Sequence, residues 1–218
     1  MLGPLVVACA VTDDEAALRE LGARDSKALS PAARERLEPV LKERLIAFAV
    51  KALDAPSLDA LMASHTINEI EVGLFADVAL GAARAASLRS LAVLQLDAAD
   101  ANAASFARGV VQALASRDSG FDARSVVAEH RADVRFPAVG AASILAKVER
   151  DRQVRAIARE VGQDIGSGYP ADPVTVQFLR DYISAEGDVP PFCRRSWQTT
   201  KDLLNQAGRV NQRLEEFD

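Results

Sequence analysis

The sequence predicts an α/β fold that contains parallel strands, followed by a helical appendage. Short apolar runs alternate with helical patterns of roughly 10–20 residues, which is typical of strands joined by crossover helices. After residue 165 the pattern is helical only. With 218 residues, of which 49% are hydrophobic, the chain can bury one core plus a small extension. We therefore expect a main domain over residues 1–165 and an appendage over residues 166–218.

The first half of the chain predicts two strands and three helices. In chain order these are a strand over 2–11, a helix over about 31–45, a strand over 45–53, a short helix after Pro56 and a longer helix from 67. Ser30 followed by Pro31 is a good N-cap and first helical position. Thr66 and Glu69 have the spacing of a capping box, and an apolar stripe continues beyond them.

The second half predicts two further strands and several helices. In chain order these are a strand over 91–96, a helix marked by Phe106, Val110 and Leu114, a strand over 125–128, a helix over 138–161, a loop over 166–170 and helices near 173–185 and 197–207. Each strand here is followed by a helix, so these strands are expected to run parallel.

Several classes of protein are poor fits. No stretch reaches the roughly 18 apolar residues of a membrane span, and the N-terminus lacks a signal-peptide pattern. Cys9 and Cys193 give no disulfide framework, so a reducing, cytoplasmic location is expected. His65 and His130 belong to no metal-binding pair, and hydrolase, P-loop and dinucleotide motifs are absent from the sequence. The net charge of −5 argues against bulk attraction to nucleic acid but leaves room for a local basic groove.

Two acidic residues stand at the ends of predicted strands. Asp97 closes one strand, and Asp133 lies just beyond the next. Ligands gather at the carboxyl ends of strands in open α/β sheets, and a pair of carboxylates there suits Mg²⁺ in a phosphodiester-cleaving site. An Asp before a helix also serves as an N-cap, which from spacing alone is the more frequent explanation.

The predicted helix over 138–161 carries a basic stripe. Its members are Lys147, Arg150, Arg152, Arg155 and Arg159. Such a stripe contacts a phosphate backbone in some proteins. More often it is a solvated face with internal ion pairs, and the neighbouring acidic residues favour that interpretation. Lys147 is the exception, because it lies nearest the Asp133 end of the helix.

Two loops carry further candidates. Tyr169 stands between glycines and a proline at 166–170, where its ring could stack on a sugar or base, or could simply line a turn between helices. The loop from Arg24 to Lys27 precedes a predicted helix. It could hold a phosphate at the helix N-terminus, or merely connect two elements.

Taken together, the segments resemble one known family. Eight of them occur in order along the chain: residues 2–8, 25–29, 68–69, 97–100, 130–133, 141–151, 166–170 and 195–197. The most specific are His130-Arg131-Ala132-Asp133 and the ASILAKV-x-RD run that follows it. The chain resembles ribonuclease HII of the archaeal type over nearly its whole length.

The resemblance implies a ribonuclease H fold, which is a mixed sheet flanked by helices with a helical C-terminal appendage. It also implies cleavage of the RNA strand of RNA–DNA hybrids, nicking 5′ of ribonucleotides embedded in duplex DNA, and a role in DNA replication and repair. The family uses Mg²⁺ or Mn²⁺ and four carboxylates. Asp97 and Asp133 match the third and fourth of these, and Tyr169 matches the tyrosine that packs on the sugar beside the junction.

The resemblance further implies that three residues lie near substrate phosphates: Ser26, Lys27 and Lys147. We expect a monomer whose partners are nucleic acids and which does not contact a membrane. The 2′-hydroxyl is the feature by which such a protein distinguishes RNA from DNA.

One departure from the family concerns the N-terminus. The family places its first two carboxylates in a D-E-A-G-[RK]-G segment just before the Gly-Pro, whereas this sequence begins at Met1 with Gly3 and Pro4 following. Asp13, Asp14 and Glu15 follow the matching strand and so do not replace those acids. That segment also carries the family's first, central strand.

We therefore expect a start assigned too late, and low activity in the chain as written. Two alternatives stay open. One is a catalytically inactive module that binds RNA–DNA hybrids, and the other is a truncated product that folds poorly.

Overall fold

The structure, a computed structural model, describes residues 1–23 and 26–215, with side chains as far as residue 208. Its elements in chain order are β1 (Leu5–Val11), α1 (Glu15–Glu20), α2 (Pro31–Arg44), β2 (Ala47–Leu53), α3 (Ala55–Met62), α4 (Ile67–Ala85), β3 (Ser90–Leu91), β4 (Leu94–Asp97), α5 (Ala103–Arg117), β5 (Asp122–Ala123), β6 (Val126–Glu129), α6 (Ala132–Arg135), α7 (Pro137–Val161), α8 (Pro173–Glu186) and α9 (Gln198–Glu215). None of the helices in the described ranges is long and apolar enough to cross a membrane.

Local capping explains where the predicted helices begin. The Ser30 hydroxyl accepts a hydrogen bond from the amide of Ala33 at 3.2 Å, so α2 begins at the predicted serine–proline pair. At the start of α4, the Thr66 hydroxyl accepts from the amide of Glu69, and the Glu69 carboxylate accepts from the amide of Thr66. Both helix starts that capping residues predicted are confirmed.

Several short features differ from the prediction, and strand β5 is one that was not predicted. The acidic stretch after β1 forms helix α1, because Asp14 caps it by accepting from the amide of Ala17 at 2.9 Å. The predicted strand over 91–96 is two strands, β3 and β4, separated by Ala92 and Val93. The four-residue helix α6 lies between β6 and the long helix α7. Asp133 is therefore inside a helix rather than in the segment before one.

The strands confirm an α/β fold with parallel pairing. Strands β4 and β6 are parallel, with Leu94 opposite Val126 and Asp97 opposite Glu129. Strands β3 and β5 are also parallel. Within the described residues, the strands form three two-stranded sheets, β1–β2, β3–β5 and β4–β6, rather than one continuous ladder.

The chain divides into two compact units, and the larger comprises residues Val6–Ala52 and His65–Glu149. At least three apolar clusters build it, and two of them are large. One joins helices α4 and α5 to strand β4, with Phe75 meeting Phe106 edge to face at a centroid distance of 5.1 Å. The other buries Ile144 and Leu145 of α7 against α1 and α2. Strand β4, which ends in Asp97, is thus held by a packed helical layer.

A cluster of ion pairs joins three elements of this larger unit. The Asp77 carboxylate on α4 lies 2.6 Å from the Lys51 ammonium on β2 and 2.7 Å from Nε of Arg117 on α5. Partial burial opposes ionisation of Asp77, but the hydrogen bonds from the two cations outweigh it. The pKa of Asp77 therefore lies below its ordinary value.

The second unit comprises Met1–Leu5, Leu53–Ser64 and Arg150–Asp218. Its apolar cluster packs Leu2 and Val154 with Leu179 of α8 and Leu203 of α9. The units therefore follow the packing of distant segments, whereas the predicted boundary at residue 165 follows chain order. That boundary stays a prediction about domains.

Hydrogen bonds attach the N-terminal residues to the C-terminal part of this unit. The amide of Leu2 donates to the carbonyl of Gly168 at 3.0 Å, and the amide of Gly3 donates to the carbonyl of Phe192 at 2.9 Å. The Arg194 guanidinium donates to the carbonyls of Gly3 and Pro4. The first residues of the chain are thus buried by its last quarter.

Candidate active site

The first candidate carboxylate is Asp97, the last residue of β4. Its position opposite Glu129 in the parallel pair puts it at the carboxyl edge of the β4–β6 sheet, where the sequence predicted it. Its Oδ1 atom accepts a hydrogen bond from the amide of Ala132 at 3.0 Å. The carboxylate of Asp97 thus reaches the residue next to Asp133.

Asp133 lies in the first turn of α6 and is 4% exposed. Its Oδ2 atom accepts a hydrogen bond from the Ser26 hydroxyl at 3.2 Å. The structure brings Asp97, Asp133 and Ser26 together from three segments that lie far apart in the chain.

For Asp97, the alternative that the carboxylate caps the helix that follows it is wrong. Asn102 caps α5, and Arg131 precedes α6 in a left-handed conformation without a side-chain cap. Asp97 instead accepts from the first amide of α6, across the sheet edge. The capping interpretation failed because it considered only helices adjacent in the chain.

A hydroxyl of α7, which the sequence did not single out, links these residues to a lysine. The Ser143 hydroxyl lies 2.8 Å from that of Ser26 and accepts from the Lys147 ammonium at 3.2 Å. The result is a continuous hydrogen-bonded chain from Asp133 through two serines to Lys147. The spacing of Ser143 and Lys147, one helical turn apart, is the signal that could have identified this residue.

Positive charge collects around the Lys147 ammonium. Burial, and then the Lys27 cation, lower the pKa of Lys147 below its ordinary value, and Arg34 acts in the same direction. The carboxylates of Asp133 and Asp97 oppose that shift of the Lys147 pKa. Lys147 is therefore an electrostatic neighbour of both acids and of Lys27.

Arg34 of α2 is a second residue that the sequence did not single out. It is 8% exposed, and its Nη1 atom donates to the carbonyl of Ser26 at 3.2 Å and to that of Leu29 at 2.7 Å. It thereby fixes the backbone of the loop that carries Ser26 and Lys27. Arg24 and Asp25 of the same predicted loop lie outside the described residues.

The donor set fits a hard divalent cation. Within the described part of the chain, the Oδ2 atom of Asp97 and the Oδ1 atom of Asp133 have no hydrogen-bond partner. The carboxylate of Glu129 is paired with Arg135 at 2.5 Å. No group of three or more His, Cys, Asp or Glu side chains in those same ranges could hold a metal ion. Mg²⁺ commonly takes one or two carboxylates and completes its shell with phosphate and water.

Tyr169 lies in the second unit, on a loop held by hydrogen bonds. The amide of Gly168 donates to the Thr175 hydroxyl at 2.8 Å, and that hydroxyl donates to the carbonyl of Ile165 at 2.9 Å. The guanidinium carbon of Arg150 lies 3.8 Å from the centre of the Tyr169 ring. The ring nonetheless remains 46% exposed, so it is both supported and accessible.

The predicted basic stripe on α7 is not uniform. Lys147 belongs to the hydrogen-bonded chain described above, and Arg150 is 7% exposed, with Asp151 at 3.2 Å. Arg152, Arg155 and Arg159 are exposed. The stripe therefore has two parts. Lys147 and Arg150 lie in packed surroundings, whereas the three later arginines are exposed to solvent.

Comparisons with known proteins identify the family that the chain resembles. A sequence profile described as Ribonuclease HII matches residues 1–200. Ribonuclease HII from Methanocorpusculum labreanum is 39% identical over 212 residues, which cover 96% of this chain and 91% of the relative. The matched chain of the PCNA:RNase HII complex from Archaeoglobus fulgidus is 36% identical, with a TM-score of 0.78 over 93% of this chain and 90% of its own.

A more distant structure supports the fold. Bst-RNase HIII in complex with Mn²⁺ is 23% identical and gives a TM-score of 0.78 over 95% of this chain and 66% of its own. The family profile, the identity over nearly full length and the shared fold lead to one conclusion. The chain belongs to the ribonuclease HII family.

Proposed function

We propose that Asp97 and Asp133 are the metal-binding carboxylates with which this chain, an endoribonuclease by family, hydrolyses the RNA strand of RNA–DNA hybrids. The same reaction would nick duplex DNA 5′ of an embedded ribonucleotide. The observation that carries the proposal is the hydrogen-bonded edge of the β4–β6 sheet, where Asp97 reaches the amide beside Asp133. Each acid keeps one carboxylate oxygen without a hydrogen-bond partner in the described ranges.

The two acids would hold Mg²⁺ or Mn²⁺. A divalent ion bound there supplies Lewis acidity and lowers the pKa of water near the scissile phosphate. The Ser26 hydroxyl orients Asp133 by donating to Oδ2, which leaves Oδ1 for a ligand. Ribonucleases of this family depend on divalent metal.

The cations beside the acids would bind the substrate backbone. Lys147 is linked through Ser143 and Ser26 to Asp133, and Lys27 is close enough to lower the Lys147 pKa. Two lysines that repel one another gain when a phosphate comes between them. We propose that Lys27 and Lys147 contact phosphates next to the cleaved bond, and that Ser26, which is 0% exposed, lies beside them and holds Asp133.

Tyr169 would recognise the ribonucleotide. Its exposed ring offers an apolar face for a sugar, and the 2′-hydroxyl is the group by which proteins distinguish RNA from DNA. The observation that supports this role is the combination of an exposed ring and a rigid loop. An aromatic ring on a mobile loop would discriminate less well between a ribose and a deoxyribose.

The test compares Asp97→Asn and Asp133→Asn with the unaltered chain, using a duplex that contains one ribonucleotide. We expect each substitution to abolish metal-dependent nicking and to weaken Mn²⁺ binding measured by calorimetry. Asp118→Asn is the matched control, because Asp118 is a partly exposed acid paired with Arg84 outside the proposed site. Nicking that survives in Asp97→Asn or Asp133→Asn would refute the proposal.

A second function for the same residues is binding of RNA–DNA hybrids without cleavage. This alternative, an inactive hybrid-binding module, predicts salt-dependent binding to RNA–DNA hybrids without cleavage. We also propose that the protein is a monomer in the cytoplasm. Light scattering on the purified chain tests whether it is a monomer.

A further inference from the structure

A buried cation covers part of the Tyr169 ring. The Arg150 guanidinium lies 3.8 Å from the ring centre and the residue is only 7% exposed, while Tyr169 is 46% exposed. The exposed ring surface is therefore a part that Arg150 does not cover. This contact forms between α7 and the loop after it, within the second unit.

Other contacts restrict where the Arg150 guanidinium can lie. Its Nη1 atom donates to the Asp151 carboxylate at 3.2 Å. A methyl group added at Gly168 would come within 2.8 Å of its Nη2 atom. Space on that side is limited, so the guanidinium has little freedom to slide off the ring.

The electrostatic surroundings of Arg150 increase the stabilisation that its cation gains from the Tyr169 ring. Burial, followed by the positive charge of Arg150, lowers the pKa of Arg194 to about 10. The charge of Arg150 thus acts on a second guanidinium that is itself poorly solvated. Attraction between a cation and an aromatic face is strongest when the cation has lost water. The Tyr169 ring thus compensates Arg150 for solvation that it has lost.

We propose that Arg150 is a positioning residue that holds the Tyr169 ring ready to pack on the sugar of a ribonucleotide, and so contributes to selectivity for ribonucleotide-containing duplexes. The inference rests on the proposed role of Tyr169. A planar guanidinium stacks on a ring, whereas a lysine ammonium is a point charge on a flexible stem. Arg150→Lys therefore keeps the charge and removes the planar support.

The experiment measures binding rather than cleavage, so it works even if the chain is catalytically weak. The intact chain is titrated against two labelled duplexes of one sequence, one all-DNA and one with a single ribonucleotide. Ca²⁺ replaces Mg²⁺ to suppress cleavage, and fluorescence anisotropy gives both affinities. The quantity of interest is their ratio, because a partly unfolded sample lowers both affinities equally.

We expect the unaltered chain to prefer the ribonucleotide duplex, and Arg150→Lys to reduce that preference about tenfold, with little change in all-DNA binding. Tyr169→Ala should remove the preference, and adding Arg150→Lys to it should have no further effect. Arg159→Lys is the matched control, an exposed arginine of the same helix. Arg150→Gln gives a second measurement, because glutamine keeps a planar group without the charge. This variant should lose less of the preference for the ribonucleotide duplex than Tyr169→Ala does.

An unchanged ratio in both Arg150 variants would overturn the inference, as would Arg150 and Tyr169 effects that simply add. If the unaltered chain does not discriminate, the role of Tyr169 fails and the inference fails with it. If discrimination depends on Arg150 while Asp97→Asn still nicks the duplex, the inference stands and the metal-site proposal fails.

Discussion

Replacing Gly168 with alanine tests how tightly the Tyr169 loop is packed. Gly168 has a φ of +77°, in the left-handed region, and an added Cβ would lie 2.8 Å from Nη2 of Arg150 and 3.0 Å from the carbonyl oxygen of Leu2. The first neighbour is the end of a side chain and can move. The second is backbone, held by the hydrogen bond from the Leu2 amide to the Gly168 carbonyl.

The expected cost has two parts. A left-handed conformation costs alanine about 1–2 kcal/mol, and overpacking a filled site costs about 1–3 kcal/mol more. Gly168→Ala should therefore lower the free energy of unfolding by about 2–5 kcal/mol. Gly187 provides the matched control, because its φ is +73° and a Cβ added there would meet no atom within 4 Å. Gly187→Ala should cost only the conformational part.

Urea unfolding followed by circular dichroism measures both variants. We expect both midpoints to fall with unchanged slopes, and the fall to be larger for Gly168→Ala. Equal losses at Gly168 and Gly187 would refute the steric argument, because the two sites would then differ in nothing that stability detects. A smaller loss at Gly168 would refute it more strongly.

Three further predictions concern other parts of the molecule. Ser143→Ala should destabilise the chain by about 1–2 kcal/mol in thermal unfolding, since two partners lose a shared hydroxyl, whereas Ser116→Ala, whose hydroxyl bonds only to backbone, should cost less. Asp77→Asn should cost about 1 kcal/mol at pH 7. Because the folded pKa of Asp77 is lowered, its contribution is present above about pH 4 and is lost as the pH falls through the folded pKa, so the two stability curves should converge in acid. A constant gap down to about pH 2 would contradict this. Burial raises the pKa of both thiols, that of Cys9 to about 12, so Cys9 and Cys193 should react with a disulfide reagent at about pH 8 only after unfolding. Rapid labelling of native protein would show that one of them is accessible.

The positions of the two acids could be predicted because strand ends are a property of local sequence. Asp97 follows an apolar run, and the parallel pairing of β4 with β6 then brings the segment around Asp133 to the same edge. Capping signals such as Ser30 and Thr66 are equally local. These features depend on residues within a few positions of one another.

The features that the sequence did not predict depend on packing between distant segments. Ser143 gains its importance from Ser26, 117 positions away, and no pattern along the chain connects the two. The contact of Arg150 with Tyr169 likewise depends on how the intervening residues return the loop to the helix. The break between β3 and β4 lies within an apolar run, where hydrophobicity alone cannot mark the end of a strand.

The attachment of the first residues to the last quarter of the chain has a consequence for synthesis. Gly3 and Pro4 receive their bonds from Arg194, so their partners do not exist until about 190 more residues have been made. Protein synthesis adds roughly 5–20 residues per second, so the N-terminal segment lacks these partners for about 10–40 s. For most of that interval Leu2, which is buried in the folded protein, also lacks its apolar partners on α8 and α9. All residues of the larger unit, which ends at Glu149, are therefore synthesised before the N-terminal segment finds these partners.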